Sequence, residues 1–232
     1  MNLVIHLIGN AHLDPAWLWT WPAGADESIN TCRTACDLLD LYPDLHITRG
    51  EAWVYDQVRK VDPRTFGRIQ AHVRAGRWHI VNGWWIQPDC NLPGEASFLK
   101  QAEIGGQFFR EHFAVHVDVG YNVDSFGHCA MLPSFLTRTG MNAYVFMRPQ
   151  ATEKKLPADL FQWQSPVGDT VTTCRLSAAY LAASVSNLIG NIHATVAAAD
   201  RRVGHAMCFY GVGDHGGGPT RSQIGVFGQS SG

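Results

Sequence analysis

The constraint that narrows the fold most is an alternation of short apolar or β-branched runs with longer stretches of helical period. Leu3 to Gly9 (LVIHLIG) reads as a strand, and Ala25 to Leu41 as a helix with Ile29, Cys32, Cys36 and Leu39 along one side. His46 to Thr48 is a second strand. Glu51 to Ala75 carries a helical pattern that Pro63 interrupts, and after the stop signal of Gly76 the run Trp78 to Val81 (WHIV) is a third strand. Pro93-Gly94-Glu95 opens a helix running to about Phe113, VDVGYN is a fourth strand, Ala130 to Thr139 another helix, and Ala143 to Met147 (AYVFM) a fifth strand. Thr170 to Leu176 and Ala206 to Tyr210 bring the strands to seven. This spacing predicts an α/β fold: a mostly parallel, seven-stranded, barrel-like sheet flanked by helices. One domain is expected over residues 1–224, and residues 225–232 (GVFGQSSG) read as an irregular, low-complexity tail.

Composition removes several function classes. Lys and Arg number 18 against 20 Asp and Glu, a net charge of −2, so no polybasic face is available for nucleic acid or an anionic bilayer. The longest apolar runs, such as Leu3 to Ile8, fall far below the ~20 residues of a membrane span, and the start MNLVIHLIGNAH lacks a basic leader and a cleavage site. A cytoplasmic protein is expected. The six cysteines form no CxxC pair and no Asn-x-Ser/Thr acceptor occurs, so reduced, mostly buried thiols are expected. Cys32 and Cys36 share a helix face, where packing is favoured over metal binding. The 8 Trp, 11 Phe, 6 Tyr and 23 Gly suit a cleft that accepts a polar, ring-shaped ligand.

In an α/β sheet, ligands bind beyond the carboxyl ends of the strands. His12 and Asp14 follow the first predicted strand, Trp84, Trp85 and Asp89 the third, Asp124 the fourth, Arg148 the fifth, and Asp214 and His215 the last. In GNAHLDPAW, a His and an Asp two apart on extended chain point to the same side, a ligand mix that zinc accepts, although a hydrogen-bonded pair fits the spacing equally. Trp17 and Trp19 follow at once, as packing residues or ligand-facing ones. In YNVDSFGH, Asp124 suits a metal ligand, a nucleophile or a helix cap, and His128 reads as structural. Gly211 to Gly216 matches GxGxxG after a strand, but Asp214 would set a negative charge against a pyrophosphate. The glycines read instead as a loop that brings backbone close to a ligand while presenting Asp214 and His215.

Taken together, HLDPAW, NGWWIQPDCNLPGE, YNVDSFGH, FMRPQ and GVGDHGGGPT resemble, in order, the motifs of glycoside hydrolase family 38, the retaining α-mannosidases. The last loop is most similar to the bacterial and cytosolic branch. The resemblance implies an N-terminal catalytic domain acting on a mannose-containing oligosaccharide or glycoside, with Zn²⁺ held by His12, Asp14 and Asp124. Asp124 would also be the nucleophile and Asp214 the general acid/base. Trp17 would stack under the sugar ring, Phe126 would wall the pocket and Arg148 would lie near the substrate, with Trp84, Asp89 and His215 as further substrate-binding candidates. The family's fourth zinc ligand is a His downstream of the glycine loop, followed by a helical bundle and β-sandwich domains. A truncated catalytic domain is therefore expected, with His215 as a less favoured substitute ligand; an oligomer is compatible with this. Retention predicts two carboxyl groups about 5 to 5.5 Å apart, with Asp214 protonated at the outset and Asp124 ionised by zinc. Two other readings are a metal-dependent carbohydrate deacetylase, which needs a second metal-binding His and no nucleophile, and an inactive remnant.

Overall fold

The structure, a computed structural model, describes residues 2–213 and 215–228. In chain order the elements are β1 (Val4–Asn10), α1 (Trp21–Leu41), β2 (Ile47–Arg49), α2 (Ala52–Val61), α3 (Pro63–Arg74), β3 (Trp78–Ile80), α4 (Glu95–Phe113), β4 (Val119–Asn122), α5 (Leu132–Arg138), β5 (Ala143–Phe146), β6 (Leu160–Gln164), β7 (Thr170–Arg175), α6 (Val185–Ala198), β8 (His205–Tyr210) and α7 (Arg221–Gly228). They divide between two compact units. The first comprises Met1–Arg49, Val54–His79 and Ser177–Gly232, and the second Gly50–Trp53 and Ile80–Leu176.

The first unit is organised by a four-stranded sheet of order β3-β2-β1-β8. Strand β1 runs parallel to β2 and to β8, the latter in register from Val4↔His205 to Gly9↔Tyr210. Helix α1 begins four residues before the first predicted helical residue because Pro22 sits in its first turn, where a missing N–H costs nothing. Helices α2 and α3 part at Asp62–Pro63. There Asp62 caps α3 by accepting from the Thr65 backbone N–H at 3.0 Å and the Thr65 hydroxyl at 2.8 Å.

The second unit holds a sheet of order β4-β5-β7-β6, parallel except for the antiparallel β6–β7 pair. Its core gathers Trp84, Phe98, Leu132, Phe135, Leu136, Tyr144 and Phe146. Gly105 in α4 meets the backbone of Gly83 and Trp84 so closely that a Cβ would lie 2.4 Å from the Gly83 oxygen.

The expectation of one seven-stranded, barrel-like sheet is corrected: the described residues form eight strands in two sheets, neither closed. The unexpected strand is β6, whose sequence LFQWQ alternates half-buried Phe161 and Trp163 with exposed Gln162 and Gln164. It folds back on β7 through a turn closed by Ser165 N–H to the Asp169 carbonyl at 2.8 Å and Gly168 N–H to the Ser165 carbonyl at 3.0 Å. With a partner on one side only, β6 ends its sheet. The tail boundary also shifts, because α7 runs through Gly228. Thr220 and Gln223 cap it reciprocally, Thr220 N–H to Gln223 Oε1 at 3.0 Å and Gln223 N–H to Thr220 Oγ1 at 3.2 Å, a T-x-x-Q box that the glycines and serines beyond it obscure. Helix α6, capped by Ser184, was likewise unanticipated, since Gly190 and its polar residues dilute the apolar stripe. All six cysteines are free thiols. Burial pushes Cys32 up to about 11 and Cys36 up to about 12, as packed thiols require.

Two measurements check these packing arguments. Gly105→Ala, forced against backbone, should destabilise by about 1–3 kcal/mol in denaturant unfolding. The adjacent Gly106→Ala meets only the end of the Arg110 side chain and should be neutral or stabilising by up to about 1 kcal/mol. The Thr65 backbone N–H, with Arg33 and the Thr65 hydroxyl, holds Asp62 down at about 2. Its contribution is present above the ordinary carboxylate pKa and is lost as pH falls towards 2. Asp62→Ala should therefore cost about 1 kcal/mol at pH 7, with the gap closing in acid.

Candidate functional site

Each unit gathers part of the expected site at the carboxyl end of a strand. In the first unit, β1 ends at Asn10, which is buried and donates from Nδ2 to the Tyr180 carbonyl at 3.3 Å. Two residues on, the His12 imidazole is buried at 3% exposure and lies edge-on to Tyr180, ring centroids 5.5 Å apart. His12 Nε2 and Asp14 Oδ1 are 3.8 Å apart, and the Asp14 side chain is about half exposed. Two donors bound to one ion at about 2.0–2.2 Å each are separated by no more than ~4.2 Å. The imidazole and carboxylate thus fit one zinc ion in chemistry and span. Among the described residues, no group of three or more His, Cys, Asp or Glu side chains is gathered to hold a metal.

The glycine loop runs alongside this segment. Gly216 N–H donates to the His12 carbonyl at 2.9 Å, Leu13 and His215 form an isolated antiparallel bridge, and Gly213 N–H donates to the Gly217 carbonyl at 3.1 Å. Gly211 is required: its φ is +153°, and a Cβ there would lie 2.0 Å from the Asn10 oxygen. Asp214, the expected acid/base, lies outside the described residues. His215 does not join His12 and Asp14 as a donor. Its ring packs against Trp17 at 5.6 Å and Trp19 at 5.2 Å, forming an aromatic corner. Trp17 is 59% exposed, while Trp19 is pinned by its Nε1–H to the Asp14 carbonyl at 3.0 Å. Trp19 takes the packing role that the sequence left open to it, and Tyr180 is a contributor that no motif marked.

In the second unit β4 ends at Asn122, fully buried, and Asp124 follows two residues later. Asn122 Nδ2 donates to the Pro88 carbonyl at 2.8 Å and the Cys90 sulfur at 3.0 Å, and its Oδ1 accepts from Ser125 N–H at 3.1 Å. Asp124 Oδ1 pairs with Arg148 Nε at 3.1 Å, and the Arg148 guanidinium lies 4.5 Å over the ring of Phe126, which is 76% exposed. His128 is more than packing. Its Nε2 is 2.7 Å from the Arg148 carbonyl and must carry the proton, which leaves Nδ1 to accept from the Tyr144 hydroxyl at 3.1 Å. Burial lowers the pKa of His128 and raises those of Tyr144 and Cys90, the last to about 11, so all three are neutral near pH 7.

One expected substrate contact is corrected. Trp84 is 1% exposed, packed edge-on against Phe98 in the core, and offers no surface to a ligand. Asp89, which is exposed, builds a turn, its Oδ1 accepting from the backbone N–H of Asn91 and Leu92 at 2.8 and 2.9 Å.

These strand-end groups sit within a chain that the description "Glycosyl hydrolases family 38 N-terminal domain" matches over residues 2–229. The chain belongs to glycosyl hydrolase family 38. Alpha-mannosidase G of Dictyostelium discoideum is 27% identical over 223 residues, 94% of this chain and 20% of that protein. The chain therefore spans about a fifth of the length of this curated relative. An alpha-mannosidase from Enterococcus faecalis V583 superposes with a TM-score of 0.82 at 18% identity, over 99% of this chain and 27% of that one. A 4-alpha-glucanotransferase from Thermococcus litoralis reaches a TM-score of 0.72 at 13% identity, over 99% of this chain and 36% of that one. At such identities the two likenesses speak to fold alone. No helix among the described residues is long and apolar enough to cross a membrane.

The buried hydrogen bonds of the family 38 chain yield a prediction. Tyr144→Phe leaves His128 Nδ1 without its donor and should cost about 1–3 kcal/mol of stability. Because His128 titrates lower folded than unfolded, the unfolded chain alone takes up this proton as pH falls below about 6.5. The contribution is complete above that pH and declines below it. Nitrogen NMR should show His128 as the neutral Nε2–H tautomer at pH 7.

Proposed function

We propose that this chain is the N-terminal catalytic portion of a zinc-dependent, retaining α-mannosidase that hydrolyses terminal α-D-mannosides. The observation that carries the reading is the Asp124 carboxylate, held at the end of β4 by Arg148, in a chain matched along nearly its whole length to a glycosidase family. Under this reading His12, Asp14 and Asp124 hold the zinc, which when bound supplies a Lewis-acid anchor for the hydroxyls of one sugar. The chain's own groups do the rest. Trp17 offers an exposed face to the apolar side of the pyranose ring, and the Arg148–Phe126 stack holds the Asp124 carboxylate in one orientation. That carboxylate attacks the anomeric carbon; the bond to the departing oxygen breaks, and the oxygen takes a proton from the Asp214 carboxyl. Water, deprotonated by the Asp214 carboxylate, then displaces Asp124, so the configuration is retained. Fixing the sugar and the nucleophile in advance removes part of the entropic barrier, worth up to ~7–11 kcal/mol in well-oriented systems. The substrate is a mannose-containing oligosaccharide or glycoside, and the compartment the cytoplasm.

Incubation of the purified chain with an aryl α-mannoside, with zinc added or chelated, tests this. Zinc-dependent turnover is expected, with the α-anomer as first product by NMR and a loss on the order of 10³-fold or more in Asp124→Ala. Acetate release from an acetylated oligosaccharide in its place would favour the deacetylase, and absence of any turnover would make this chain a remnant.

A further inference from the structure

The second unit contains a cleft of about 440 Å³ that the proposed mechanism does not use. Its volume lies within the ~300–1,000 Å³ of small-molecule sites. Phe161 and Trp163 from β6 and Leu156 form an apolar wall packed against the unit's core. Opposite in chemistry are the exposed Lys154 and Asn91, and among the described residues no carboxylate lines the cleft. His128 also lines it, but both its ring nitrogens are engaged, by Tyr144 and by the Arg148 carbonyl, so it presents ring surface rather than a donor.

The backbone that carries the polar groups is anchored. Gly127, at φ +140°, brings its backbone so close to Asn91 that a Cβ would lie 2.6 Å from the Asn91 amide nitrogen. Lys154 N–H donates to the Gln150 carbonyl at 2.9 Å, and the Lys154 carbonyl accepts from Arg175 Nη1 at 2.7 Å. Arg175 is itself paired with Asp159 at 2.8 Å, so the backbone under Lys154 is anchored at a buried guanidinium. The cleft is also continuous in sequence with the proposed chemistry, because its linings Gly127 and His128 lie on the loop of Asp124, and its lining Pro149 follows Arg148 directly.

An aromatic wall in a cleft that Lys154 and Asn91 also line, with no carboxylate among the described lining residues, has the chemistry of a pyranose site. The apolar face of the ring lies on the indole and phenyl groups, and hydroxyls accept from nitrogen donors. We propose that this cleft is an accessory saccharide subsite, holding a second sugar unit of an oligosaccharide whose terminal mannose is attacked by Asp124. The inference rests on the glycosidase reading above and adds to it a preference for oligosaccharides over simple glycosides.

The test is calorimetric titration of α-linked mannotriose and methyl α-mannoside into the Asp124→Ala chain, which leaves the oligosaccharide intact. Mannotriose should bind at least about tenfold more tightly than the monosaccharide. Adding Lys154→Ala should abolish that advantage, Lys154→Arg should restore part of it, and Trp163→Phe should reduce it, with unchanged melting temperatures confirming that each variant folds. Equal affinities for the two sugars, or an advantage that survives Lys154→Ala, would overturn the subsite. Failure of the wild-type chain to hydrolyse an aryl α-mannoside, alongside Lys154-dependent mannotriose binding, would sink the glycosidase reading and leave the subsite standing. Hydrolysis without extra affinity for mannotriose does the reverse.

Discussion

In each unit a buried asparagine closes the strand that precedes the candidate residues, and the geometry above depends on it. Where a strand ends, its chain must turn without leaving backbone polar groups unpaired in the interior. Asn10 and Asn122 are the last residues of β1 and β4, both buried, and each spends amide hydrogens on the carbonyl of another loop, Tyr180 or Pro88. Side chains alternate along extended chain, so the residue two places on keeps its relation to the strand end. Those residues are His12 and Asp124. One device, an amide that ties the end of a strand to a neighbouring loop, thus positions a metal-ligating candidate in one unit and the nucleophile candidate in the other.

Neutral hydrogen bonding extends that control in the second unit. Arg148 is fixed at both ends, its carbonyl by His128 Nε2–H and its guanidinium by Asp124 and the Phe126 ring. A charged His128 would bring a second cation beside Arg148 inside low-dielectric surroundings, and burial disfavours it. The ion pair that carries the proposed chemistry is therefore supported by groups that carry no charge of their own. In the first unit backbone does the equivalent work. Gly211 lets the glycine loop lie directly against the Asn10 backbone, an approach that a Cβ would prevent, and the Gly216 N–H ties the loop to the His12 carbonyl.

How much of this was legible in sequence follows from what each residue does. The strand-end placement of His12, Asp14, Asp124 and Arg148 was legible because each follows directly on an apolar run, whose end the sequence pattern marks; the chemistry assigned to them belongs to the proposal. Trp84 was misread for the same reason in reverse: it follows a strand, yet its bulk fills the core. Strand β6 was missed because five residues with two glutamines give too short an alternation to stand out, and α7 because its capping box lies among glycines. Tyr180 and the Tyr144–His128 pair were beyond reach, since their roles exist only once segments distant in sequence are packed together.

The exposed aromatics complete the argument. Trp17 and Phe126 leave more than half their surface to solvent, which gains nothing for folding. Neither is loose. Trp17 is braced edge-on by Trp19 and His215, and Phe126 is covered on one face by the Arg148 guanidinium. Ordering a free side chain on binding costs ~0.5–1.5 kcal/mol, and bracing removes most of that cost before a ligand arrives. Under the proposed glycosidase reading, rings that are exposed yet braced in this way offer a flat sugar face a surface it fits.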